Sequence, residues 1–159
     1  MTSPSTACRT ARALATGTLA LGVAGGLLSG CSSAVEATAP PRAASTACVE
    51  AATRWPDTVS GQAPVETTAG SPAVAAWGDP PVVARCGLAA LPPTTQECLA
   101  VDGVDWVVRE LSDGAAFTTF GRDPAIEVLV PDAYAPEPLL LPAFADAARA
   151  LPANGRTCT

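Results

Sequence analysis

The sequence predicts a small α+β domain in which an antiparallel β-meander of four to five strands is covered on one face by N- and C-terminal helices and closed by two disulfides. Three observations predict it. The stretch Ala75-Ala76-Trp77-Gly78-Asp79-Pro80-Pro81-Val82-Val83-Ala84-Arg85-Cys86-Gly87 sets a large aromatic, a rigid turn, a β-prone run and a cysteine side by side. Asp102-Gly103 and Asp113-Gly114 punctuate alternating apolar runs, as hairpin turns do. Both ends of the domain carry apolar residues at helical spacing.

The first element precedes the domain. Arg9 and Arg12 give a positive start, and residues 14–28 form an uncharged apolar run rich in Ala, Gly and Leu. The run has the length of a secretory apolar core and is too short and glycine-rich for a membrane-spanning helix. Its ending, Leu28-Ser29-Gly30-Cys31, resembles the bacterial lipobox, in which cleavage falls before a cysteine that carries diacylglycerol. Residues 1–30 therefore read as a lipoprotein signal peptide and Cys31 as a lipidation site. A two-chain lipid is enough for stable anchoring, which makes the membrane a partner and the outer face of the cytoplasmic membrane the expected location.

Removing residues 1–30 takes two of the nine cations and none of the fifteen acids, so the charge moves from −6 to −8. Such a chain has no electrostatic basis for binding nucleic acid. It contains no lysine and no histidine, and every cation is an arginine.

Residues 31–46 are rich in Ala, Pro, Ser and Thr without apolar periodicity and read as the lipidated cysteine followed by a flexible tether, reaching about 40 Å if extended. Residues 47–159 read as a single domain. Cys48, Ala51, Ala52 and Trp55 recur at helical spacing until Pro56 stops the helix. Residues 59–73 read as a loop. Strands are expected over residues 82–86, 97–101, 104–109, 117–120 and 125–130, and in the third of these Val104, Trp106 and Val108 share one face while Asp105, Val107 and Arg109 share the other. In the last, Ile126, Val128 and Val130 align. Phe144, Ala147, Ala148 and Leu151 then mark a helix within residues 139–151.

Of the six cysteines, Cys8 leaves with the signal peptide and Cys31 carries lipid, so Cys48, Cys86, Cys98 and Cys158 remain to form disulfides. Three connectivities are possible. Proximity in a meander favours Cys86 with Cys98 and Cys48 with Cys158. No cysteine pair has zinc-knuckle spacing and no histidine completes a site, so neither a metal nor another cofactor is expected.

Three blocks in order, Ala76-Trp77-Gly78-Asp79-Pro80-Pro81-Val82-Val83-Ala84-Arg85-Cys86-Gly87, Val101-Asp102-Gly103-Val104-Asp105-Trp106 and Thr119-Phe120-Gly121-Arg122-Asp123-Pro124-Ala125-Ile126-Glu127-Val128, resemble the recurring blocks of a family of actinobacterial secreted or lipid-anchored proteins catalogued as domain of unknown function number 3515. The resemblance spans residues 48–158. It implies an actinobacterial envelope lipoprotein and brings no catalytic residue or substrate.

Without histidine or lysine, the Ser-His, Cys-His and Ser-Lys nucleophile systems are missing, and no catalytic residue is assigned. Asp102, Asp105, Asp123 and Glu127 lie near hairpin ends and could converge as an acid and base pair or a Ca²⁺ site. The structural alternative makes Asp102 and Asp123 turn formers and sets Asp105 and Glu127 on a solvated sheet face with Arg85 and Arg109. Trp77 and Trp106 read as core anchors, with sugar stacking the functional alternative. Arg122 reads as a ligand or structural residue beside Asp123, with Asp79 its expected ion-pair partner. The expected function is a noncatalytic interaction or ligand-binding module of the cell envelope, partnered by an envelope protein or the cell wall. The alternative is a carboxylate-dependent hydrolase of cell-wall glycan, which needs two acids about 5 to 9.5 Å apart in a cleft.

Overall fold

The computed structural model describes residues 33–158, so the signal peptide and Cys31 lie outside the described residues. The strands are β1 (Pro64–Val65), β2 (Val74–Trp77), β3 (Val82–Leu88), β4 (Cys98–Val101), β5 (Val104–Glu110), β6 (Gly114–Phe120) and β7 (Ala125–Pro131), and the helices are α1 (Thr46–Ala52) and α2 (Ala145–Ala150). All seven strands form one sheet in the order β1-β2-β3-β7-β6-β5-β4, with every neighbouring pair antiparallel.

The sheet is thus larger than the four to five strands expected and is not a simple meander. The added strands, β1 and β2, are short. One is a Pro-Val pair inside the stretch read as a loop, and the other is four residues of which two are alanine, so neither carries a strong local strand signal. The order departs from a meander because β3 pairs with β7, while residues 89–97 carry the chain across to the opposite edge, where β4 pairs with β5. The Asp102-Gly103 turn matches its expectation: φ is +48° at Asp102 and +73° at Gly103, the left-handed pair a type I′ hairpin requires.

Alternation decides the faces. Trp77, Val82, Ala84, Cys86, Trp106, Phe117, Ile126, Val128 and Val130 point into one core with Cys48 and Ala51 of α1 and Ala147, Ala148 and Leu151 at the C-terminal end. Trp77 packs edge-on to Phe144 with ring centroids 5.5 Å apart, and Trp55 packs edge-on to both rings. The buried indoles of Trp77 and Trp106 belong to this core, which leaves no aromatic platform for a sugar at either. Trp77 donates to the Pro56 carbonyl at 3.0 Å, whereas the Trp106 N–H has no partner among the described residues.

α1 is capped by Ser45, whose hydroxyl accepts from the Cys48 N–H at 3.3 Å, and it ends at Ala52, before the Trp55 expected in it. At the other terminus the expected single helix divides into a 3-10 helix, Glu137–Phe144, and α2. Pro142 lies inside the 3-10 segment, where its missing N–H and its ring disfavour α-helical continuation. Arg149 of α2 reaches the hairpin turn, donating to the Asp102 carbonyl at 2.7 Å.

The disulfides join Cys48 to Cys86 and Cys98 to Cys158, with Cα separations of 5.5 and 5.7 Å. This corrects the pairing of Cys86 with Cys98 and of Cys48 with Cys158. Three strands lie between β3 and β4, which at about 4.8 Å per strand puts those two cysteines near 19 Å apart, far beyond disulfide reach.

A second correction concerns the tether. Residues 35–45 are bound to the domain. Val35 donates to the Glu66 carbonyl at 2.8 Å and accepts from the Thr68 N–H at 2.9 Å, and Arg42 donates its backbone N–H to Gly87 at 3.1 Å. Val35, Ala37 and Ala39 pack beside Val74, Ala76 and Val83, while Glu36 and Thr38 point outward. This alternation of small apolar and polar residues is that of an extended strand, too muted by alanine to read in the sequence. Gly87 has φ +122°, and a β-carbon there would strike the Ala43 backbone, so only glycine lets the strap lie so close.

Candidate functional site

The face of the sheet turned away from the helices holds the candidate site. β7 is central, and Glu127 on it stands in register with Arg85 of β3 on one side and Thr118 of β6 on the other. The face expected to be solvated is closed at this point, with Glu127 only 4% exposed. A buried carboxylate must be paired, and both of its oxygens are. Arg85 Nε donates to Oε2 at 2.7 Å, and Arg109 Nη2 donates to Oε1 at 3.3 Å from the diagonal position on β5. The arginine side chains remain accessible, 31% for Arg85 and 52% for Arg109. Each guanidinium has five N–H donors. Arg109 spends one of them on Glu127, and Nη1 of Arg85 has no partner among the described residues.

The row of charges ends in an apolar groove. Val83 precedes Arg85 by two residues, Leu129 and Leu111 follow Glu127 and Arg109 by two, and with Pro81 and Pro131 these three line a cavity of about 530 Å³. That is within the range of about 300 to 1,000 Å³ usual for small-molecule sites. Asp113 and Asp132 line its far end, while Arg85 and Arg109 stand just outside the lining, each one same-face step along its strand from Val83 and Leu111. The N-terminal strap, like Leu129, packs against the cluster of Val74, Ala76 and Val83 on this face.

The other carboxylates singled out in the sequence do not converge. Asp102 pairs with Arg149, Asp105 accepts from the Cys158 N–H at 2.9 Å, and Asp123 pairs with Arg42. Each is committed to a different partner, so these acids form no acid and base pair.

Arg122 and Asp79 are also apart. Arg122 opens the β6–β7 turn at the start of β7, whereas Asp79 precedes β3, whose first residues pair with the end of β7. Seven residues of strand separate the two turns, about 23 Å. Arg122 Nη1 donates instead to the Leu151 carbonyl at 3.0 Å. Asp79 is exposed and makes no side-chain hydrogen bond among the described residues.

The sequence placed Glu127 on one face with Arg85 and Arg109, which the structure bears out. It missed the burial of Glu127 and the groove, because both depend on β3 lying beside β7.

Fold and site together define a small, disulfide-stapled α+β domain with a charged groove on the open face of its sheet. Within that class, the chain belongs to the family described as Protein of unknown function (DUF3515), whose model matches residues 13–154. No curated protein matches the chain, and no solved structure does.

Proposed function

We propose that the protein is a lipoprotein anchored through diacylglycerol on Cys31 to the outer face of the cytoplasmic membrane, where its domain works as a noncatalytic binding module of the cell envelope. The observation that carries the binding role is the group Arg85, Glu127 and Arg109 one same-face step from the lining of an apolar groove, in a chain without histidine or lysine. A buried carboxylate saturated by two guanidinium groups is poorly suited to proton transfer and well suited to holding those groups in fixed positions. The anchor rests on the apolar run ending in Leu28-Ser29-Gly30-Cys31, and the two disulfides are in keeping with an oxidising compartment.

The strap changes how such an anchor would act. Only Ser32, Ser33 and Ala34 separate Cys31 from Val35, which is already bonded to the domain. Four residue steps span at most about 14 Å, so a lipid on Cys31 would hold the domain close to the bilayer rather than on a long leash.

Mass spectrometry of the protein from its own membranes tests the anchor. The expected mature terminus is a diacylglyceryl Cys31, and Cys31→Ala is expected to abolish lipid labelling and release or mislocalise the protein. Globomycin-insensitive processing, or a different mature terminus, would overturn it. Crosslinking in membranes, followed by identification of the captured envelope partner, tests the binding role.

A further inference from the structure

We propose that the groove binds a small amphiphilic anion, with its apolar body on Val83 and Leu129 and its single carboxylate or phosphate on the free donors of Arg85 and Arg109. This rests on the binding role above and names its ligand class.

Two guanidinium groups against one carboxylate leave the row with one positive charge. In a chain of net charge −6, no general attraction would bring an anion to this face. The attraction is local, and Glu127 holds Arg85 with its remaining donors within reach of solvent. Same-face strand neighbours lie about 6.8 Å apart, so Val83 is one step from Arg85 and Pro81 is two. An anion on the arginines would therefore lay its chain along the groove. Asp113 and Asp132 at the far end repel a negative head and orient the ligand one way. A cation is disfavoured beside the arginines, and a bare inorganic anion would leave the apolar floor unused.

The test uses the full chain in dodecyl maltoside, with methyl NMR of Val83, Leu111 and Leu129 as the readout. Octanoate and octyl phosphate are the probes, with octyltrimethylammonium and inorganic phosphate as controls. Both anionic amphiphiles are expected to shift these methyls saturably, and the tighter of the two identifies the head group. The controls are expected to leave the methyls in place. Arg109→Gln, at the more exposed arginine, is expected to fold and to weaken octanoate binding roughly tenfold, with Arg109→Lys between. Equal binding of octyltrimethylammonium, unchanged affinity in Arg109→Gln, or no shift at the three methyls with either anionic probe would each overturn the proposal. A protein that lacks lipid at Cys31 yet binds octanoate would refute the anchor alone, and a lipidated protein that ignores octanoate would refute the ligand class alone.

Discussion

Arg122 donates from Nη1 to the Leu151 carbonyl at 3.0 Å, and Leu151 is the C-cap that follows α2. The guanidinium satisfies a carbonyl at a helix C-terminus, where positive charge is favoured. Around it, Asp123 donates its backbone N–H to Pro152 at 3.0 Å and Asn154 donates to Gly121 at 2.9 Å. The β6–β7 turn therefore clamps the segment that leads from α2 to the Cys98–Cys158 disulfide.

Arg122→Ala is expected to destabilise the domain by about 1 to 2 kcal/mol, a drop in melting temperature of roughly 4 to 10 °C. Arg122→Lys should recover part of it. Asp79→Asn should change the melting temperature by less than about 2 °C, since exposed polar substitutions are usually near neutral. Thermal melts followed by circular dichroism decide this, and a large loss in Asp79→Asn would point to an ion pair the structure does not contain.

Nonreducing peptide mapping should recover Cys48 linked to Cys86 and Cys98 linked to Cys158. The closed loops span 38 and 60 residues, for which the chain-entropy model assigns about 4 kcal/mol each. Replacing Cys98 and Cys158 together by alanine should lower the denaturant midpoint clearly, and a peptide joining Cys86 to Cys98 would contradict the strand order itself.

Glu127→Ala removes the partner of two arginines at a buried position, so a loss of about 2 to 4 kcal/mol is expected on chemical denaturation. Arg109→Ala should cost under about 1 kcal/mol because that side chain is half exposed and its contact is long. Equal losses for the two variants would mean that Glu127 is not the centre of the row.

The indole N–H of Trp106 is buried without a partner among the described residues, while that of Trp77 is bonded to Pro56. Trp106→Phe relieves an unsatisfied donor as it removes volume, and Trp77→Phe loses a hydrogen bond as well as volume. Trp77→Phe should therefore be the more destabilising by about 1 to 2 kcal/mol, measured in paired urea titrations.

Much of the domain was legible from local chemistry. The alternation from Val104 to Arg109, the Asp102-Gly103 turn, the apolar spacing of Phe144, Ala147, Ala148 and Leu151, and the even set of domain cysteines each describe a neighbourhood of a few residues, where the backbone and side-chain preferences of those residues decide the outcome. The same chemistry placed Glu127 on one face with Arg85 and Arg109.

Tertiary structure alone decided which strands meet. β3 could lie beside β4 or β7 with the same alternation, and the choice of β7 sets the disulfide partners, sends Arg122 and Asp79 to opposite ends of the sheet and buries Glu127 at its centre. Pairing of strands distant in the chain depends on the fit of whole surfaces, which no short window encodes. The strap was hidden for a related reason: alanine and proline carry little signal of their own, and residues 35–45 gain their order only from the sheet they lie against.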